Sequence, residues 1–435
     1  MIQKANKKYL GLDNVVFALW ILNLFKPDWI LAYYVPGLEF VRTIPTVILY
    51  AAFIYLLISG RKIVLDKPYL IYLFASLATA IFAYNTGISR QVFRYVAESM
   101  VLYILTISVV EDERSIDRLF TIYVLSFAFY GIWGITSGGR VPFHVNMNNE
   151  DAFGPFMAMG VPMAFFFAHR MGSISYRSIS VFVICVIGVV ASFARGAFLS
   201  LCSGIVYIWY LYHRKIAAFF SVVIIFMVIL ASSSIIFKES SYWDEMSTII
   251  DAHKADVGDL GRQYLWTSAV KMFLAHPIEG VGPRNYGIVL PRFTTPEQIE
   301  PRGIRYSEIY GRVPHNIYMQ ILAEMGIIGS VAFLLLVTIF FKRNRITRRA
   351  YEVLNKRSRF GHFEQKPDGT DDIRKYYYLA IATQGAFIIY LVNGLFYDLL
   401  YFHWFSDLLI LNSLVYQASR KRALNMADVH RTVCN

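Results

Sequence analysis

A chain of 435 residues, 56% of them hydrophobic and 16% aromatic, with a mean hydropathy of +0.46, is too apolar to be a soluble protein of two or three domains. Its formal charge of +12 does not point to nucleic acid, because most Lys and Arg lie in short links between apolar segments, where they orient a membrane protein. Three cysteines, Cys185, Cys202 and Cys434, supply neither a disulfide framework nor metal-ligand spacing.

Lys4, Lys7 and Lys8 precede the first apolar stretch and no small-residue cleavage site follows it, so an uncleaved first span is expected. A window of about 20 apolar residues predicts twelve transmembrane helices. They fall at about 14–35, 43–60, 69–84, 92–110, 120–137, 153–169, 179–194, 196–212, 216–237, 316–341, 376–396 and 400–417. Lys26, Pro27 and Asp28 interrupt the first, which reads as a kinked span or a span plus an interfacial piece. The expected class is an all-α polytopic membrane protein. Helices 1–9 occupy 1–237, a large extracytoplasmic loop 238–315, and helices 10–12 residues 316–417 with a basic cytoplasmic loop at 342–375; 418–435 is a cytoplasmic tail. With the N-terminus in the cytoplasm the basic links fall inside, eleven Lys and Arg lying in Lys342–Lys375 alone.

The loop carries its own elements. Arg262 to Leu274 has the apolar spacing of an interfacial amphipathic helix, capped by Asp259 or Gly261 and closed by Pro277. Gly280, Gly282 and Pro283 enforce a tight turn, and Thr294 to Arg312 reads as a mobile polar rim.

Several side chains could do chemistry. His315 stands where the loop enters the tenth span. It reads either as a base that takes a proton from a sugar hydroxyl or as an interfacial cap. Arg195 interrupts the apolar run Ile179–Tyr212, and a hairpin there puts it at headgroup depth, where a lipid pyrophosphate would satisfy its planar fork. Arg262 and Arg284 lie in Gly- and Trp-bearing motifs on the same face. Arg90, Arg94, Arg140, Arg302, Arg305 and Arg312 add charge suited to an anionic lipid-linked substrate, or are solvated surface cations. His276 reads first as the C-terminal cap of the amphipathic helix, with catalysis the second reading. Gly326 and Gly329 suggest close helix packing, and Glu324, Asp398 and Asp407, with His403 between the last two, suggest ion pairing. No Walker loop, Rossmann fingerprint, HExxH helix or DxD pair occurs, which argues against ATP-driven transport and a metal-bound nucleotide-sugar donor.

In the pieces SFARGAFLSL (Ser192–Leu201), GRQYLW (Gly261–Trp266), AHPIEGVGPRNY (Ala275–Tyr286) and PHNIYMQILAEMGIIG (Pro314–Gly329), the chain resembles the O-antigen ligase and Wzy-type polymerase superfamily of bacterial membrane glycosyltransferases. The resemblance covers mainly residues 145–340. It implies a GT-C-like fold in the bacterial inner membrane with the active site facing the periplasm, and metal-independent, cofactor-free transfer from an undecaprenyl-pyrophosphate-linked glycan. By position His315 matches the family's proposed base, and Arg195 and Arg262 match the arginines thought to hold the donor pyrophosphate. A ligase uses a lipid A-core acceptor, a polymerase another lipid-linked glycan; the compact length and single large loop favour the ligase. From a different class, a transporter or flippase of lipid-linked glycan would use the same arginines to line a passage open to both sides.

Overall fold

The computed structural model describes residues 11–171, 175–211, 220, 257–300, 304–359 and 370–434. Apart from Phe220, the ninth expected span, at 216–237, lies outside the described residues, as does Arg302. Among those residues the protein is helical with no strand. Its helices are α1 Leu12–Phe25, α2 Pro27–Tyr34, α3 Ile44–Ile58, α4 Lys67–Ile81, α5 Thr86–Val109, α6 Glu113–Thr136, α7 Glu150–Ala168, α8 Tyr176–Ala191 and α9 Arg195–Leu211. The chain continues with α10 Val257–Ala275, α11 Tyr286–Phe293, α12 Pro296–Ile299, α13 Ile317–Arg359, α14 Thr370–Asn393 and α15 His403–Cys434.

Five described helices are long and apolar enough to cross a membrane: α3 with the 3-10 turn before it, α5, α6, α7 and α13 as far as Val353. A sixth arises if α1 and α2, bent by 49°, form one broken span. The bend is where the sequence interrupts the first span, for Lys26 turns left-handed with φ 48° and Pro27 cannot extend a hydrogen-bonded helix. Three shorter apolar helices, Pro68–Ile81, Tyr176–Ala191 and Arg195–Leu211, complete a polytopic membrane protein.

At its centre, α7 is buried on every side and packs on α8, α9 and α14. Small residues make this possible: a Cβ on Gly385 would stand 2.6 Å from the Pro162 ring. Several buried polar side chains are tied by hydrogen bonds, as a low-dielectric interior favours. Trp20 donates to Thr106 Oγ1 at 2.9 Å, and Tyr207 donates to the Ile381 carbonyl at 2.9 Å.

The described part of the polar segment forms a cap with its own core. The apolar face of α10, namely Tyr264, Leu265, Ala269 and Met272, packs on Tyr286, Val289 and Leu290 of α11 and on Ala323 of α13. That face therefore meets protein, and α10 begins at Val257, so Asp259 and Gly261 lie inside the helix and do not cap it. Ile299, Ile304 and Ile309 are buried in the same core, so the stretch expected to be a mobile rim is anchored.

The cap is locked to the bundle through a broken helix. At Gly326, with φ 57° and ψ −150°, α13 leaves helical geometry, a backbone setting that only glycine adopts readily. The freed groups pair with the turn after α10: Val281 and Gly282 donate to the Ala323 and Glu324 carbonyls, both at 2.9 Å, and Ile327 donates to Pro277 O at 2.9 Å. A Cβ on Gly326 would meet Ile278 O at 2.5 Å, so this glycine makes backbone approach possible to a loop. Gly329 is buried, and a Cβ there would first meet Met325 of the same helix at 2.1 Å. Beyond the bundle α13 runs on to Arg359 and α15 to Cys434, so helix extends into segments the sequence suggested as basic loop and tail.

Candidate functional site

His315 is held from two sides at the junction of cap and bundle. From the cap, the Trp266 indole donates to the Pro314 carbonyl at 2.9 Å. From the bundle, Asn316 N-caps α13 by accepting from the Tyr318 and Met319 amides at 2.9 and 3.1 Å, and its own amide group donates to Leu395 O at 3.3 Å. The Ile317 amide donates to Gly394 O at 2.7 Å, and the Asn316 amide to Asp398 Oδ1 at 3.3 Å. Between these clamps His315 takes φ 49°, a left-handed conformation that a non-glycine residue keeps only where its surroundings fix it.

The clamp brings a second functional group to the imidazole. His315 Nδ1 stands 4.0 Å from Asp398 Oδ2, and the Tyr397 ring is 5.9 Å from the imidazole. The His315 side chain is 35% exposed and Asp398 only 10%, so an incoming group reaches the imidazole and not the carboxylate. Asp398 Oδ2 is buried with no hydrogen-bond partner among the described residues. Burial, reinforced by the charge of Glu324, pushes Asp398 up to about 7. Burial first, and then the positive charges of Arg262 and Arg312, hold His315 down to about 4.

The arginines sort by position. Arg262, on α10, lies close enough for its charge to reach His315, Asp398 and Asp151 at the start of α7. Arg195, the first residue of α9, acts on that same Asp151. It follows the tight turn Ser192–Ala194, where Phe193 has φ 54°. Arg312 donates to Glu308 O at 3.0 Å and to Tyr264 Oη at 3.3 Å, which turns it toward His315's surroundings. Arg262 thus joins the two groups: its charge and that of Arg312 act on His315, and its charge and that of Arg195 act on Asp151.

Other candidates lie elsewhere. Arg284, left-handed with φ 59°, lines a separate cavity beneath the last helix. His276 follows the last residue of α10, but its imidazole pairs with Tyr84 Oη at 3.0 Å and Glu279 at 3.3 Å, tying the cap to the α4–α5 link. Arg90 and Arg140 are exposed. Glu324 makes no salt bridge within 4.0 Å among the described residues, although the Arg284 charge acts on it; it accepts from the Tyr401 hydroxyl at 2.5 Å and the Tyr286 amide at 3.1 Å. Asp398 was visible in the sequence only as a partner for a buried arginine. The spacing gives no sign that it faces His315, because the α14–α15 link delivers it from 83 positions away. Among the described residues no group of three or more His, Cys, Asp or Glu could hold a metal ion.

In comparisons with known proteins, residues 180–334 match the family described as O-antigen ligase. That stretch contains Arg195, Arg262, Arg312, His315 and the Gly326 break. No curated protein matches the chain.

Proposed function

We propose, from the match of residues 180–334 to the O-antigen ligase family, that this membrane protein is an inverting glycosyltransferase of the ligase type. It moves a glycan from an undecaprenyl-pyrophosphate carrier to a hydroxyl of a lipid A-core or similar acceptor, on the periplasmic face of the bacterial inner membrane. The observation that carries the reading is a half-exposed imidazole 4.0 Å from a buried, unpartnered carboxylate oxygen, within reach of the Arg262 and Arg312 charges. The twelve-span, GT-C-like arrangement with residues 238–315 outside belongs to the same proposal, supported by the basic links between spans.

The chemistry follows from those groups. The carrier's polyprenyl tail stays in the bilayer while Arg195 and Arg262 grip its diphosphate. Asp398 faces Nδ1 of His315 and fixes the ring, leaving Nε2 for the acceptor. Nε2 takes the acceptor hydroxyl proton as the oxygen bonds to the anomeric carbon. The bond from that carbon to the diphosphate oxygen breaks on the opposite face, its electron pair leaving with the diphosphate, so configuration inverts. Guanidinium donors aimed at developing negative charge are worth on the order of 3 kcal/mol each, which suits an already good leaving group.

The depressed imidazole gives the cycle an order. Burial first, and then the charges of Arg262 and Arg312, disfavours a proton on His315. A bound diphosphate offsets those two charges, so the imidazole becomes a stronger base when the donor is in place. The test is to incubate the purified protein with undecaprenyl-pyrophosphate glycan and, separately, lipid A-core, a second lipid-linked glycan, or neither. Transfer to lipid A-core supports the ligase reading, and chain growth on the lipid-linked glycan would make the protein a polymerase. Donor that crosses the bilayer without forming a product in any arm would replace both with a flippase.

A further inference from the structure

A cavity of about 480 Å³ is lined in part by Leu400, Tyr401 and Phe402 of the α14–α15 link, and His315 is not among its walls. Its walls are the α1–α2 break, the start of α3, one face of α5 and the start of α15. Nothing in the reaction above uses it. It is within the size range of a small-molecule site, and its chemistry is specific.

Three carboxylates, Asp28, Glu98 and Asp407, line it together with Asn23 and Asn146. Four cations also reach it, but two are already engaged: Arg94 donates to Glu98 at 2.8 Å, and Lys26 bonds Asn23 at 3.4 Å while lying 5.3 Å over the Trp29 ring. Asp407 accepts from Asn23 at 3.1 Å and pairs with His403 Nδ1 at 2.7 Å. His403 Nε2 and Asp28 Oδ1 are buried with no hydrogen-bond partner among the described residues, and Asp28 is only 9% exposed. Buried polar atoms are normally satisfied; with Nδ1–H donating to Asp407, His403 Nε2 is an acceptor like Asp28 Oδ1, so both indicate a missing hydrogen-bond donor. Arg42 and Arg284 also line the cavity, but a fully ionised phosphate only accepts and would satisfy neither orphan atom. A sugar ring donates and accepts through its hydroxyls, and its apolar face stacks on an aromatic plane such as Trp29 or Tyr95. Leu19, Leu49 and Leu102 add an apolar floor for the aglycone or lipid tail.

We propose that this cavity is a saccharide site that holds the sugar head of a glycolipid, and that it serves the acceptor. The acceptor role rests on the transferase reading; the binding chemistry does not. The link that presents Asp398 to His315 also supplies Tyr401 and Phe402 to the cavity, so one short segment touches both sites.

Two probes with the same tail and different heads test it: dodecyl maltoside and dodecyl phosphocholine, titrated by native mass spectrometry against protein purified in a polyoxyethylene detergent. Dodecyl maltoside is expected to fill one saturable site at least about tenfold more tightly than dodecyl phosphocholine. Trp29→Leu and Asp28→Asn, each checked for monodisperse elution, are expected to weaken it about tenfold or more, while His315→Ala leaves it unchanged. Equal affinity for both heads, absence of saturable maltoside binding, or binding that neither cavity variant alters would overturn the proposal. These outcomes are independent of transfer, so a protein that binds maltoside but moves no glycan would sink the transferase reading alone. A protein that transfers glycan but fails the binding test would sink this one alone.

Discussion

Two buried carboxylates, Asp66 and Asp398, each join distant stretches of chain, and their surroundings differ in one respect. Asp66 is closed: Arg343 reaches it at 2.6 Å, and the hydroxyls of Tyr103 and Ser413 donate to the same carboxylate, the latter at 2.9 Å. The space beside it is about 10 Å³, at the lower limit for one water molecule. Asp398 is open: one oxygen takes a 3.3 Å bond from the Asn316 amide and the other has no partner among the described residues, 4.0 Å from a half-exposed His315. Both carboxylates meet a basic side chain. A satisfied carboxylate with no space beside it is a structural tie. One kept incomplete next to a reachable imidazole and guanidinium charge is a site awaiting a substrate.

The comparison breaks most sharply at His315. Replacing it with Ala removes the base and is expected to lower transfer by about 10² to 10⁴-fold in kcat, with expression and elution unchanged, because the clamps on Pro314 and Asn316 use neighbouring atoms. Full turnover by His315→Ala would reduce the imidazole to an interfacial cap. At the closed carboxylate the reverse is expected. Arg343→Met leaves Asp66 buried without its cation and should cost about 3–5 kcal/mol of stability. A lower thermal unfolding midpoint in detergent reads this, and transfer per folded molecule is retained. Unchanged stability would mean that the hydroxyls alone satisfy Asp66.

Much of this was legible in the sequence, and the residues indicate why the rest was not. The break at Lys26 and Pro27, the hairpin before Arg195 and the helix start after His315 are local events, each written in a proline, a charge within an apolar run or a change of periodicity. His315, Arg195 and Arg262 stood out because titratable groups at a membrane boundary are unusual. Asp398 did not, because its role is set by a link that returns 83 positions later. Gly326 looked like a packing glycine because spacing cannot distinguish a smooth helix contact from a break filled by another loop. The apolar stripe of α10 likewise does not record whether it faces lipid or the isoleucines of 299–309.

Asp398→Asn sharpens the open side. The amide keeps the volume but loses the carboxylate that orients Nδ1, so kcat is expected to fall about ten- to a hundredfold while donor KM stays constant. That split separates positioning from donor binding. A rise in donor KM with kcat intact would assign Asp398 to the arginine array instead.

The smallest effect is a displacement along the pH axis. Transfer is expected to fall in two steps on the acid side: in part as Asp398 protonates through about 7, and then fully as His315, which accepts a proton only while neutral, protonates near 4. Burial is the larger cause of that low value and stays in place, but Arg312→Gln removes one of the two cations that deepen it. The acid limb of kcat/KM, which reports the free enzyme, is then expected to move upward from about 4 toward the ordinary histidine range. Arg262 is left intact in this experiment because its loss would also weaken donor binding. In kcat, measured at saturating donor, the wild type and Arg312→Gln should differ less, because bound diphosphate has already offset the guanidinium charge. An acid limb that stays in place in Arg312→Gln would show that Arg312 does not act on His315, and equal displacement in kcat and kcat/KM would show that the donor does not relieve the imidazole.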